Sequence, residues 1–330
     1  MRSKTDTNAK IRLILLIIVL LLTAIVILGE VVIPIVREHL MIKDLISRNT
    51  SVIWAQRDPS LEYNPIHTNK LYYYELGGQV TLLEDEYYFF DMVLNNDGTR
   101  MLAFTGYMTN FEIVEYDINE RKLTTILTSE QAEDYLDKNG YEKPVTRREG
   151  CNVQYYDNEN KISFKYGKYL MGYSMQEGFE VIYSFELGAR CAYSWMDNNT
   201  SLLLNDGYEL IKYNTMTGKR ITIIEQTRPF NFVLSTDESY IIYEDRKTGY
   251  LYRYDLKSDK QNRLCGISDS RPELIISKDS RYILCHDTIW AFIPYSTKSI
   301  IYIIDVESGK KYYVKEFDYD YEIAGVAWNQ

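Results

Sequence analysis

Residues 232–264 read FVLSTDESYIIYEDRKTGYLYRYDLKSDKQNRL. The stretch alternates runs of Tyr, Ile, Val and Leu with short groups of Asp, Ser, Lys and Gly, which is typical of successive β-hairpins. It divides into four strands. A single four-stranded unit cannot bury its own faces, so the rest of the chain should supply similar units.

Two landmarks of this unit recur at steps near forty residues. The first is the aspartate of the first turn, found at Asp97, Asp157, Asp197, Asp237 and Asp279, with steps of 60, 40, 40 and 42 residues. The second is the polar residue that ends the third strand, found at Glu75, Asp117, Ser174, Asn214, Asp255 and Asp305, with steps of 42, 57, 40, 41 and 50 residues. Four-stranded repeats of this length predict a β-propeller.

The longer steps indicate two insertions. Residues 128–150 contain SEQAEDYLDKNG, a pattern that predicts a capped helix ended by Gly140. A second excursion is expected at residues 287–298. When both are allowed for, residues 52–330 hold six blades, so the predicted fold is an all-β, six-bladed propeller of four-stranded blades.

The two ends of this region are expected to meet. The first blade shows strands only at residues 52–56, 71–76 and 80–83, whereas the chain finishes in AGVAWNQ at residues 324–330, which matches an inner strand. We therefore expect the terminal strand to complete the first blade, which closes the ring and leaves no open sheet edge.

An apolar segment before the propeller predicts a membrane anchor. Residues 13–36 contain 24 residues with a single charge, enough to span about 36 Å as a helix. A cleaved signal peptide is the alternative, but the segment exceeds the usual apolar length of such peptides. Positive charges crowd residues 1–12, which predicts a cytoplasmic tail, a transmembrane helix, a neck at residues 37–51 and an extracytoplasmic propeller.

Composition narrows the function. The chain carries 47 acidic and 37 basic side chains, a formal net charge of −10, which argues against nucleic-acid binding. Three His and four Cys without CxxC or HExxH spacing predict neither a metal site nor a cofactor.

The cysteines leave two readings open. Cys151 and Cys191 each precede a turn aspartate by six residues, so they are expected on adjacent inner strands, either as a disulfide or as free thiols. Cys265 is expected on an outer strand and Cys285 on a second strand, which makes a disulfide between them less favoured.

Two stretches resemble the blade starts of a known family. Residues 228–237 (RPFNFVLSTD) and 271–279 (RPELIISKD), each followed by a Tyr-Asp-Leu-like strand, are similar to the repeats of TolB-like and WD40-like periplasmic propellers. The resemblance implies the propeller fold and a role in binding proteins, peptides or glycans. It does not imply a catalytic activity.

Three arginines are candidates for ligand contacts. Arg148, Arg228 and Arg271 precede the turn aspartates of three blades by eight or nine residues, so they should occupy equivalent loops at one end of the ring. Asp318 and Asp320 lie in a matching acidic loop. Guanidinium groups suit carboxylates, although arginines before a blade can also simply bond neighbouring loop carbonyls or acids.

The aromatic residues of the second excursion form another candidate. Trp290, Phe292 and Tyr295 lie on a polar-flanked insertion and fill no obvious blade, which favours a partner-binding role. The alternative is that they pack across the channel mouth.

These patterns predict a membrane-anchored, non-catalytic module that binds a protein, a peptide or an envelope glycan. The alternative is a membrane-tethered glycoside hydrolase or lyase that uses carboxylates on the propeller face, because propeller glycosidases assemble their acids from different blades. No nucleophile motif such as G-x-S-x-G is present in the sequence.

Overall fold

The structure is a computed structural model. It describes residues 41–48, 50–57, 69–85, 87–107, 110–142, 144, 152–185, 192–206, 209–225, 231–245, 247–267, 272–292, 295–317 and 323–329, together with Val19 and Thr23. For residues 57, 107, 288–292, 295–298, 323–326, 328 and 329 the description is of the backbone only.

The chain divides into two units at the boundary between Asn49 and Thr50. In the first unit, residues 41–47 are helical and lie within the predicted neck. The predicted span at residues 13–36 lies outside the described residues except for Val19 and Thr23. Within the described part of the chain, no helix is both long enough and apolar enough to cross a membrane.

The second unit contains six antiparallel sheets of four strands each, as predicted. In chain order the strands are β1 Ser51–Arg57, β2 Asn69–Glu75, β3 Val80–Glu84, β4 Phe89–Leu94, β5 Arg100–Tyr107, β6 Asn110–Asp117, β7 Lys122–Thr128, β8 Gln154–Tyr156, β9 Lys161–Tyr166, β10 Tyr169–Ser174, β11 Gly178–Ser184 and β12 Tyr193–Met196. The remaining strands are β13 Ser201–Asp206, β14 Glu209–Asn214, β15 Arg220–Ile224, β16 Phe232–Leu234, β17 Tyr240–Asp245, β18 Tyr250–Asp255, β19 Lys260–Gly266, β20 Glu273–Ile276, β21 Tyr282–Phe292, β22 Tyr295–Asp305, β23 Lys311–Phe317 and β24 Ile323–Asn329.

The first blade is completed by the last strand. Its order is β24-β1-β2-β3, and β24 pairs antiparallel with β1 so that Trp328 lies opposite Val52. The other five blades each take four consecutive strands, beginning with β4, β8, β12, β16 and β20. The prediction that the terminal strand closes the ring is confirmed.

Apolar clusters fill the spaces between neighbouring blades. Blades 1 and 2 share a cluster that includes Ile53, Met101 and Ala327, and similar clusters join each later pair up to blades 5 and 6. Between blades 6 and 1, the buried Trp54 meets Phe317 edge-on, with 5.9 Å between their ring centroids. Burial between blades is therefore continuous around the ring.

The first predicted insertion is a helix, as expected. It covers Ser129–Lys138 and begins with a capping box, in which the Thr128 hydroxyl accepts from the Gln131 amide and the Gln131 side chain accepts from the Thr128 amide. Ala132 and Leu136 are buried in the cluster between blades 2 and 3. The inserted helix therefore adds to the apolar core between blades 2 and 3.

The second predicted excursion, at residues 287–298, is not a loop. It is the distal part of a long hairpin, because β21 and β22 each run for eleven residues. Their distal residues are rich in aromatic and β-branched types, which favour strands. The sequence step of 50 residues in this blade therefore reflects longer middle strands.

The turn aspartates are structural, as predicted. The Asp97 carboxylate accepts from the Thr99 amide at 2.9 Å, and Asp237 accepts from the Ser239 amide at 3.1 Å. Hydrogen bonds from the Thr99 and Ser239 hydroxyls, and then those from the amides, lower the pKa of the two carboxyl groups. The second landmark, at the end of the third strand, is Ser174 in blade 3 where blades 2, 5 and 6 have an aspartate. The Ser174 hydroxyl accepts from the Glu177 amide at 2.9 Å.

Candidate functional site

A cavity of about 680 Å³ lies on the axis of the ring. All six inner strands contribute to its wall, from β4 in blade 2 to Ala327 of β24 in blade 1. We call the end where the inner strands begin the inlet end and the opposite end the outlet end. The volume is in the range of small-ligand sites, so the channel can receive a group of a ligand or partner.

Asp91 lies in the channel wall near the inlet end. The pairing of β4 with β5 shifts register between Phe90 and Val93, and Asp91 sits in this bulge with a φ of +52°. A non-glycine residue rarely adopts this left-handed conformation, and bulges commonly redirect a side chain. The bulge is therefore the local feature that sets the position of Asp91.

The surroundings of Asp91 disfavour its charged form. Burial is the largest cause and the negative charge of Glu273 adds to it, while hydrogen bonds from the backbone amides of Val153 and Asn152 act in the opposite direction. Together they raise the pKa of Asp91 to about 8. The side chain is half-buried and keeps access to the channel. At neutral pH this carboxyl group is therefore largely protonated.

Glu273 begins β20 and also lines the channel. The nearest basic group to it among the described residues is His286, which lies opposite in the register of β20 and β21, with its Nδ1 3.8 Å from Glu273 Oε2. The His286 Nε2 atom is buried and has no hydrogen-bond partner among the described residues. The inlet end thus holds two carboxyl groups from blades 2 and 6.

Polar side chains near the inlet end tie neighbouring blades together. Gln154 donates to the Tyr193 carbonyl at 2.8 Å, which joins blades 3 and 4, and Asn231 donates to the Pro272 carbonyl at 2.5 Å, which joins blades 5 and 6. Asn69 exchanges two hydrogen bonds with the Phe89 backbone between blades 1 and 2. These bonds hold the inlet rim in place.

The outlet end is crossed by a polar network. The Glu159 carboxylate accepts from the Asn96 amide at 2.6 Å and pairs with Arg100 at 2.9 Å. The Lys278 ammonium, from blade 6, donates to the Asn96 carbonyl of blade 2. This contact links blades 2 and 6 at the outlet end.

The long hairpin of blade 6 rises beside the inlet. His286 lies opposite Glu273 in the register, and β21 continues for the six residues 287–292, on the order of 20 Å at the usual rise per residue. Its partner β22 pairs with β23 only as far as Ser299. Among the described residues, the part of the hairpin between Ser299 and its tip, residues 289–292 and 295–298, is a two-stranded ribbon, which we call the blade 6 ribbon.

The predicted aromatic residues belong to this ribbon. The backbone register places Phe292 opposite Tyr295 and Trp290 opposite Thr297. The other predicted contact residues, Arg148, Arg228, Arg271, Asp318 and Asp320, lie outside the described residues, as do Cys151 and Cys191.

The two described cysteines are free. Cys265 lies on the outer strand β19 and Cys285 on the second strand β21, where the sequence predicted them. Both belong to the apolar cluster between blades 5 and 6. Burial raises the pKa of Cys265 to about 11, so its thiol is neutral at physiological pH.

Sequence reasoning missed Asp91 and Glu273. The available signal for Asp91 was an acid inside the apolar inner strand FFDMVL at residues 89–94. For Glu273 it was an acid immediately after the Arg-Pro blade start. Among the described residues, no group of three or more His, Cys, Asp or Glu side chains could hold a metal ion.

Comparisons with solved structures agree with this architecture. TolB from Acinetobacter baumannii superposes with a TM-score of 0.63 at 10% identity, covering 85% of this chain and 67% of that one. A Nidogen/Laminin complex gives 0.58 at 10% identity (84% and 98% covered), and a putative TolB from Agrobacterium tumefaciens gives 0.55 at 8% identity (86% and 99% covered).

At these identities the likeness concerns the fold, and the predicted resemblance to TolB-like propellers is confirmed at that level. No protein-family model matches the sequence. No curated protein sequence matches it either.

Proposed function

We propose that this TolB-like propeller is a membrane-anchored, extracytoplasmic binding module that holds a protein or peptide partner at its inlet end. The observation that carries the proposal is the blade 6 ribbon, which rises beside a channel entrance lined by six inner strands. Loops and extensions at one end of a rigid scaffold commonly carry binding functions.

The ribbon suits an extended partner. Among the described residues, the two strands of the ribbon pair only with each other. Each strand therefore retains an edge of backbone donors and acceptors. An extended segment can add to such an edge by backbone hydrogen bonds, and nearby pockets then supply specificity. The channel entrance at the base of the ribbon provides such a pocket.

One structure similar in fold is consistent with protein binding, since it is described as a complex of nidogen and laminin. Two others are described as a TolB and a putative TolB. Since identity to them is about 10% or lower, they support only the suitability of this fold for a binding role.

Anchoring is supported by residues 13–36 and by the positive charges of residues 1–12. At residues 19 and 23 the backbone is helical, and the Thr23 hydroxyl donates to the Val19 carbonyl one turn earlier. Protease added to intact cells should remove the propeller. Digestion only after detergent permeabilisation would contradict the proposed orientation.

Site-specific photocrosslinking tests the binding role. A photoreactive residue at Ser296 in the ribbon should form a defined adduct in intact cells. The same probe at Ile221 or Tyr313, exposed on outer strands, should not. Equal labelling from the three positions, or no adduct from Ser296, would contradict a partner site at the ribbon.

A further inference from the structure

We propose that the outlet end of the propeller carries a separate site, between blades 5 and 6, which binds the carboxylate group of a small organic acid through Arg253. A cavity of about 660 Å³ lies at this junction and is lined by turn residues of both blades, by Tyr240 of β17 and by Arg253 of β18. We call it the blade 5–6 pocket. It lies at the end opposite the blade 6 ribbon, so the inference does not depend on the proposed function.

Arg253 has no acid partner within the described part of the chain, which includes every outlet-end turn of blades 5 and 6. Its guanidinium lies over the ring of Tyr240, 4.0 Å from the ring centroid. The charge of Arg253 acts weakly on Asp255, whose carboxylate accepts instead from the Lys257 and Ser258 amides. The guanidinium therefore keeps its donors for another acceptor.

The same position in two other blades carries a paired charge. Arg253 lies two residues before the second landmark of its blade, where blade 2 has Glu115 and blade 4 has Lys212. Glu115 pairs with Arg100 at 3.0 Å, and Lys212 pairs with Asp197 at 2.7 Å. Of the three charged side chains at this position, Arg253 is thus the one whose counterion the described chain does not supply.

Ser280 stands where two other blades have an acid. In the first turns of blades 3, 5 and 6, Glu159, Glu238 and Ser280 have φ values of +66°, +54° and +61°. Each side chain accepts from a backbone amide of the preceding blade, at 2.6–2.8 Å. The Glu159 carboxylate also reaches Arg100 at 2.9 Å. Serine is shorter and uncharged, so the junction of blades 5 and 6 has space and a guanidinium where that of blades 2 and 3 has an ion pair.

The other charged residues of the lining leave a positive centre in place. Two are basic, Lys278 and Arg281, and both also have protein partners. Three are acidic, of which Asp237 and Asp279 accept hydrogen bonds from groups of their own turns. Glu307 is exposed to solvent, which screens its charge. An anion beside the guanidinium would therefore also gain from the two basic side chains.

The geometry suits a carboxylate. A guanidinium presents parallel N–H groups that match the two oxygens of a carboxylate. Tyr240 is buried beneath it, and the Tyr240 hydroxyl donates to the Ser280 carbonyl, which holds the ring in place. The Ser280 hydroxyl accepts from the Thr236 amide, so its own hydrogen can be donated to a ligand. A bound carboxylate would thus take the role that Glu159 has in blade 3.

Ligand-observed NMR titration of the full chain in detergent, at pH 7 and constant ionic strength, tests the inference. The probes are glutarate, its neutral diamide glutaramide, and phenyl phosphate. Glutarate should bind and glutaramide should not. Absence of glutarate binding would overturn the site, and tighter binding of phenyl phosphate than of glutarate would overturn its assignment to carboxylates.

A matched pair of arginine variants locates the binding. Arg253→Gln should weaken glutarate binding about tenfold or more, because a charge-assisted hydrogen bond is lost. Arg253→Lys keeps the charge without the fork and should weaken it less. Arg263→Gln is the control, since Arg263 also lies over a tyrosine ring of blade 5, that of Tyr250 at 4.6 Å, but does not line the pocket. Equal weakening by Arg263→Gln would contradict the site.

A variant built from the repeat itself gives the second test. Ser280→Glu supplies the acid that blades 3 and 5 have at this position, in a backbone conformation that glutamate adopts in both. The new carboxylate should pair with Arg253 and abolish glutarate binding without lowering the melting temperature. Glutarate binding as tight as in the unaltered chain would show that Arg253 is not the contact. If Arg253→Gln fails to fold, as its melting curve would show, Ser280→Glu remains decisive.

Discussion

Removing residues 323–330 deletes β24, the inner strand of the first blade. The deletion therefore opens the ring between blades 6 and 1. The register of β24 with β1 comprises six residue pairs, from Ser51 opposite Asn329 to Gln56 opposite Ile323. In an antiparallel ladder this corresponds to about six backbone hydrogen bonds, at a net contribution of about 1 kcal/mol each. The loss from hydrogen bonding is therefore about 6 kcal/mol.

The same deletion exposes apolar surface. Ala327 is buried among the residues between blades 1 and 2, and Ile53 and Ala55 on β1 are fully buried in the same cluster. Their exposure adds about 1–3 kcal/mol. Domains are usually stable by about 5–15 kcal/mol, so the deletion should leave the propeller largely unfolded at 37 °C.

Thermal melting followed by near-UV circular dichroism measures the effect. The deletion variant should lose its cooperative transition or melt far below the intact chain. Deletion of residues 1–36, which lie in the other unit, is the control and should leave the transition in place. A deletion variant that melts like the intact protein would refute the argument that β24 closes the ring.

Three further changes have defined outcomes. Trp54→Ala should cost about 3–5 kcal/mol in chemical denaturation, because the ring is 1% exposed and contacts blade 6, whereas Val80→Ala at an exposed site should cost much less. Thr128→Ala should remove about 1 kcal/mol and speed amide exchange in residues 129–138, and unchanged exchange would argue against the capping box. The pKa of Asp91 is raised to about 8 in the folded protein, from about 3.9 in the unfolded chain. Its contribution to the free energy of unfolding is therefore complete below about pH 4 and is lost as the pH rises through 8. Denaturation midpoints at pH 5 and 8.5 should therefore differ less for Asp91→Asn than for the unaltered chain, and an equal difference would contradict this role.

The fold was predictable because its signals are local and repeated. Turn residues such as Asp97 and Asp237 bond backbone groups only two residues away, so the turn chemistry is visible in each repeat. The closure by β24 was also predictable, since one blade lacked an inner strand and the chain ended in one. Repetition and strand counting together were sufficient for the topology.

The contents of the channel were less predictable. Asp91 faces the cavity through a bulge that appears only when β4 is paired with β5, and the sequence alone does not locate a register shift. Glu273 and Asp91 are 182 positions apart and come together through the ring. The distal part of the long hairpin was predicted to be an insertion because periodic strand patterns do not reveal how far a strand extends beyond its sheet.

Asp91 joins two neighbouring blades at the inlet end of the channel. Its carboxyl group belongs to blade 2, and the two amides that donate to it, from Asn152 and Val153, belong to the start of blade 3. Hydrogen bonds to a charged acceptor are about twice as strong as those to a neutral one. Ionisation of Asp91 would therefore strengthen these two bonds, but the pKa of about 8 indicates that the cost of burying the charge is larger than this gain.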